Sequence, residues 1–185
     1  VLAIAGSGAF FSQYPILMQK VYGISPSISS GAFAVVAAIG LLLYTPGGNW
    51  SDRFGPSRVM QVSLAVRWVA FVCLIGLAFL HTGFQNVLAL AGFGVVVCAW
   101  SLISVSGTAL AAKLSPVGEG EGLGIFNAIS ALAGVIGAVL GGWAAGRWGY
   151  GSIALLAVIG IAIGLLLSFW LPEAGKKAVD HAKTA

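Results

Sequence analysis

The stretch Gly48-Asn49-Trp50-Ser51-Asp52-Arg53-Phe54-Gly55-Pro56-Ser57-Arg58 interrupts two long apolar runs, at about residues 28–47 and 58–81. An acid, two arginines, two glycines and a proline this close together read as a turn in water. The runs on either side are long enough to cross a hydrocarbon core, which takes roughly 20 apolar residues as a helix. The same alternation continues along the chain. Of its 185 residues, 8% are charged and 59% hydrophobic, whereas a soluble domain carries about 25% charged residues. So apolar a chain is neither a soluble domain nor a disordered segment. Its 27 glycines follow no triplet period, so it is not collagen-like, and two cysteines are too few for a disulfide scaffold. An all-α integral membrane protein remains.

Six apolar stretches are expected to span, at about 1–21, 28–47, 58–81, 87–112, 122–144 and 151–171. Between them lie Gly23–Ser27, the stretch quoted above, His81–Asn86, Ser115–Glu119 and Arg147–Gly151. In hydrocarbon every backbone N–H and C=O needs a partner within a helix or a closed barrel. Runs of this length without period-two alternation select helices. Residues 1–172 are therefore read as one six-helix transmembrane unit and 173–185 as a tail. No charged leader precedes Val1, so no signal peptide is read, and the chain is expected to start inside a longer protein. With the spans alternating, one side holds Arg53, Arg58, Lys113, Lys176, Lys177 and Lys183, and the other only Lys20 and Arg147. The positive-inside rule then makes the second and fourth connections and the C-terminus cytoplasmic. A plasma membrane of the bacterial inner-membrane type is the expected location. The Asn49-Trp50-Ser51 sequon falls on the cytoplasmic side and is read as chance.

At an offset of 94 the chain resembles itself. Gly47-Gly48 followed by Arg53, Phe54 and Gly55 aligns with Gly141-Gly142 followed by Arg147, Trp148 and Gly149, and Ala34, Ala37 and Gly40 align with Ala128, Ala131 and Gly134. Either this is coincidence in a Gly/Ala-rich chain, or the six helices are two copies of three. Three is odd, so the second copy would lie upside down, an inverted 3+3 repeat.

The Gly48–Arg58 stretch resembles the signature loop of the major facilitator superfamily, roughly G-x-x-x-D-R-x-G-R-R. Gly48, Asp52, Arg53 and Gly55 fit. Pro56 and Ser57 stand where two basic residues are usual, with Arg58 one place later. Along the fifth stretch, Gly124, Ala133, Gly137-Ala138 and Gly141-Gly142 resemble the glycine motif of the antiporter branch, with alanine in place of a glycine and its proline. The resemblance implies one half of a twelve-helix transporter, with a small-molecule substrate bound between halves. The degenerate loop and the tail after Pro172 point to the C-terminal half, whose partner would be the missing N-terminal six-helix half. It also implies that Gly48, Asp52, Arg53, Gly55 and Arg58 form a cytoplasmic charge network that gates the cycle. On the residues alone, Asp52 has a second reading, as the cap of the third helix, with Gly48 and Gly55 making a tight turn. Asp52 aligns with Gly146 in the repeat, so the acid exists on one side only, which favours gating.

Arg67 falls ten residues after Ser57, about 15 Å into its helix and near the bilayer centre. An arginine there costs about 2.5–3.5 kcal/mol on insertion scales and usually faces protein or a wet cavity. It is either a structural partner for carbonyls and polar groups or a contact for an anionic substrate. No acid lies at membrane depth to pair with it. Gln13 and Tyr14 beside Pro15 in the first stretch, and Ser101, Ser104 and Thr108 with Trp100 in the fourth, are candidate cavity residues. Pro15 is expected to bend its helix. The competing reading of the hydroxyls is bonding back to their own helix. The resemblance implies that the first and fourth helices line the cavity. Asn127 is the polar exception on the fifth stretch. There Gly134, Gly137 and Gly141 share one face, as expected for close helix packing in lipid.

Cys73 and Cys98 read as small buried apolar groups. His81 and His181 lie outside membrane depth. Gly118-Glu119-Gly120-Glu121-Gly122 lacks the lysine and hydroxyl of a phosphate loop. No nucleophile–base set or metal-spaced cluster is present, so neither enzyme activity, a cofactor, a metal nor nucleic acid is expected. The expected function is secondary transport of a small solute by alternating access, with an anionic metabolite or drug favoured by Arg67. The alternatives are a non-transporting sensor or assembly subunit on the same fold, marked by a cavity sealed with bulky apolar side chains, and a complete half-size unit that dimerises. Gln13, Tyr14 and Ser101 meeting in one groove would favour transport.

Overall fold

A computed structural model describes residues 1–79, 84–116 and 118–170, and all regular structure among them is helical. The helices are α1 (Leu2–Tyr22), α2 (Pro26–Leu42), α3 (Tyr44–Phe54), α4 (Pro56–Phe79), α5 (Gln85–Leu114), α6 (Glu119–Trp148) and α7 (Gly151–Ser168). His81, Val117, Leu171, Pro172 and the tail with Lys176, Lys177, Lys183 and His181 lie outside the described residues.

Among the described residues four helices, α4, α5, α6 and α7, are long and apolar enough to cross a membrane, and α2 with α3 makes a fifth if the pair is one broken span. Of the six spans expected, four or five are met by this measure. α1 has the length, at 21 residues, but is not among them. Its Ser7, Ser12, Gln13, Tyr14, Gln19 and Lys20 reduce its apolar character, and it lies inside the bundle, packed on α6 along one side and α7 along the other. A helix covered by protein need not be uniformly apolar.

The second expected break is also corrected. Residues 44–54 are helical, and α2 and α3 meet at a 43° bend. The cause is Pro46, whose ring excludes the carbonyl of Leu42 four residues earlier and whose nitrogen cannot donate. The chain turns instead at Gly55, φ 87° and ψ 137°, a backbone that disfavours any residue with a Cβ. Gly149 ends α6 with φ 81° and ψ 168°, and α7 starts two residues later. Gly48 sits within α3 and makes no turn. By contrast, α1 runs through Pro15 as one helix.

The helices alternate in direction. Gln61 near the start of α4 donates to the Ser168 carbonyl at the end of α7 (3.0 Å), and Tyr22 at the end of α1 donates to the Leu74 carbonyl near the end of α4 (2.6 Å). Packing pairs are reciprocal across the two halves of the chain. α1 packs on α6 and α7, α5 packs on α4 and on the α2–α3 pair, and α4 meets α7. Glycine permits the closest approaches. A Cβ on Gly137 would run into the Ala5 backbone, and one on Gly141 would lie 2.8 Å from Ala9 Cα. Gly8 answers from α1, where a Cβ would lie 2.7 Å from the Gly134 carbonyl oxygen. On α7, Gly160 and Gly164 similarly admit Leu2 and Ala3 of α1.

Candidate functional site

A cavity of about 570 Å³ opens between α1, α2, α5 and α6, which is within the range of small-molecule sites. Aromatic rings from Phe11, Phe33, Tyr44 and Trp100 form much of its wall, and Ser7, Ser101 and Ser130 supply hydroxyls. Ser7 donates to the Ala3 carbonyl at 2.6 Å, whereas the buried Ser130 Oγ has no partner. Gly40 and Gly134 are also in the wall, and there a Cβ on Gly40 would come within 2.8 Å of Ser101 Oγ. The small face expected only to pack helices thus has two uses: Gly137 and Gly141 seat α1, while the Cβ direction of Gly134 is open. Ser7 was not singled out from the sequence, although it stands to Ser101 as Gly40 stands to Gly134, both at the offset of 94.

Arg67 lies near the middle of α4 and is 1% exposed. Its side chain reaches toward α1 and α5, where the guanidinium carbon sits 4.8 Å from the Trp100 ring centroid and 5.3 Å from that of Phe11, with Phe71 of its own helix at 5.8 Å. None of its three nitrogens has a hydrogen-bond partner. Cation–π contacts at such distances contribute roughly 2 kcal/mol when desolvated. They do not replace the hydrogen bonds that a buried charge loses. Phe11 and Trp100 both line the cavity, so one aromatic layer separates it from the cation.

The other expected site residues divide. Trp100 and Ser101 are in the cavity wall. Tyr14 is in the packed core, stacked on Phe93 at 3.8 Å between centroids, and donates to the Ser29 carbonyl at 3.3 Å. Gln13 is turned to α6, where its Nε2 would lie 3.7 Å from a Cβ on Gly142. Gln13, Tyr14 and Ser101 therefore do not meet in one groove. The Ser104 carbonyl accepts from Thr108 Oγ1 at 3.0 Å, the local back-bonding that competes with a cavity role. Asn127 is exposed on α6. The wheel positions of these residues were not legible because none of α1, α5 and α6 has a strong apolar stripe to fix its rotation.

At the α3–α4 elbow, Asp52 and Arg53 are exposed on the last turn of α3 and Arg58 on the first turn of α4. Asp52 thus sits in the helix before the turn, and the reading of it as the cap of the following helix is corrected. Arg53 lies over Phe54 at 5.3 Å. The cysteine reading is likewise corrected: Cys73 is exposed on α4 and Cys98 only half-buried.

The family model of the Major Facilitator Superfamily matches residues 1–184. The chain belongs to the major facilitator superfamily. It is accordingly a membrane transporter at the level of that superfamily, embedded in a lipid bilayer through its apolar helices. None of the curated proteins matches it.

Proposed function

We propose that the chain is the C-terminal six-helix half of a secondary transporter that moves a small anionic solute by alternating access. The cavity between α1, α2, α5 and α6, with the unpartnered Arg67 behind its aromatic wall, carries this reading. α1 supplies the sixth span, as a helix shielded from lipid by α6 and α7. The inverted 3+3 repeat is supported by the matching turns at Gly55 and Gly149 and by the reciprocal packing pairs. The pairs Ser7/Ser101 and Gly40/Gly134 both border the cavity, as expected where repeats meet around a solute. The other half would cover the open side, where α2 and α6 expose Val35, Leu41, Leu132 and Val139. Asp52, Arg53, Gly55 and Arg58 would act at the cytoplasmic end of the α3–α4 elbow as the gate, while Gln13, Tyr14 and Ser104 support the wall from behind. Asn127, exposed on α6, would face the solute path from the side that the other half covers.

The test is uptake by the full-length protein in proteoliposomes against a panel of anionic, neutral and cationic solutes. Saturable uptake of an anion is expected, and its absence for every anion that the membrane itself excludes rejects the reading. A non-transporting protein of the same fold is the second reading, favoured by the predominantly apolar cavity wall. It predicts ligand binding with no flux.

A further inference from the structure

From the setting of Arg67 we infer that the cavity takes an amphipathic monoanion, an aryl or alkyl monocarboxylate, and that Trp100 and Phe11 are a shutter which turns aside to deliver the Arg67 guanidinium to the carboxylate. The inference rests on reading the cavity as a solute site. Three observations on different elements carry it. The guanidinium of α4 is 1% exposed with three unpartnered nitrogens, which is the arrangement a bidentate acceptor would complete. Both rings that cover it, from α1 and α5, are themselves cavity wall, so a ring rotation and no helix movement separates cation from solute. Ser130, whose buried Oγ has no partner, lines the same space from α6.

The charge and size of the ligand follow from what surrounds it. Among the described residues, Arg67 is the one cation packed against the wall. The acids of the described residues, Asp52 at the end of α3 and Glu119 and Glu121 at the start of α6, stand at the helix ends. One carboxylate is therefore neutralised, and the second charge of a dicarboxylate or phosphate would be buried among Phe11, Phe33 and Tyr44 without a partner, at high cost. The rings instead suit a flat or aliphatic body, and a volume of about 570 Å³ leaves room for one or two fused rings. Arginine matters here beyond its charge, because its planar fork can lie over the Trp100 ring and pair with both carboxylate oxygens, whereas lysine does neither as well.

Binding is measured on the full-length protein in nanodiscs with radiolabelled benzoate, naphthoate and octanoate, against their primary amides and phthalate. At least one monocarboxylate is expected to bind tenfold or more tightly than its amide and than phthalate. Arg67→Gln is expected to weaken that carboxylate at least tenfold, about 1.4 kcal/mol, and Arg67→Lys to fall between. Trp100→Ala, which removes the cover, is expected to speed association with the carboxylate. Equal binding of acid and amide, no binding by any carboxylate, or an unchanged affinity in Arg67→Gln overturns the proposal. Should Arg67→Gln fail to fold, the wild-type comparison of acid with amide and the Trp100→Ala rate decide alone. If a neutral solute is transported and the carboxylates do not bind, the inference fails and transport stands. Carboxylate binding dependent on Arg67 without flux of any solute rejects transport and leaves the anion site.

Discussion

Arg67 is a charge that the bundle holds at a cost. A guanidinium without hydrogen bonds in a core of Phe11, Phe71 and Trp100 gains cation–π attraction but forfeits the hydration of a charge. Replacing buried charges by apolar side chains of similar volume often stabilises a protein by about 1–4 kcal/mol. Arg67→Met is therefore expected to raise the melting temperature of the purified protein by several degrees while abolishing anion binding, read by thermal unfolding with and without ligand. A lowered melting temperature would mean that the arginine stabilises the fold through a partner. The depth of Arg67 was legible by counting residues from the turn. Its aromatic neighbours were not, because they depend on how α1 and α5 are rotated against α4, and Tyr14 shows the same limit from the other direction. A tyrosine beside a proline reads as polar, yet its ring is stacked on Phe93 and its hydroxyl satisfied by Ser29.

At the scale of elements, glycine decides who touches whom. Among membrane helices close packing replaces hydrophobic attraction, and backbones must come within reach of each other. Gly137→Ala is expected to cost roughly 1–3 kcal/mol by overpacking against the Ala5 backbone. Gly146→Ala on the same helix, with open space around it, is expected to be neutral or to stabilise by up to about 1 kcal/mol. The two melting temperatures measured side by side check this, and equal values would reject the α1–α6 contact. The glycine face of α6 was read from spacing alone, and the α5 and α7 ranges came within a few residues. The α2–α3 bend was missed because Gly47, Gly48, Asn49 and Ser51 are poor helix formers. Packing of Gly47 on Leu102 accompanies the helix they nevertheless form, and Pro46 was the available signal for where it bends.

For the whole molecule, basic residues predict orientation. With Cys73 and Cys98 replaced by serine, a cysteine at Glu119 is expected to react with an impermeant maleimide from the cytoplasmic side. One at Lys20 should react from the opposite side only; the reverse pattern would invert the topology. Both positions are exposed at opposite ends of the bundle. In the same background Asp52→Asn is expected to change the labelling of cavity cysteines without reducing membrane insertion, and identical labelling would remove Asp52 from the gate. Family membership was legible because the elbow motif is a local string of residues. The cavity was not, since its wall is drawn from residues as distant as Ser7 and Ser130, which only the assembled bundle brings together.

The burial of α1 between α6 and α7 sets an order of events during synthesis. Ala5 and Ala9 leave the ribosome about 130 residues before Gly137 and Gly141 arrive to cover them, a delay of roughly 6–26 s at 5–20 residues per second. Through that interval α1, the most polar long helix among the described residues, has neither of its main neighbours and enters lipid alone poorly. α1 therefore needs shelter, from the insertion machinery or from helices already made, until α6 and α7 follow it, so slowed translation ahead of α6 should lower yield more than the same pause placed after α7.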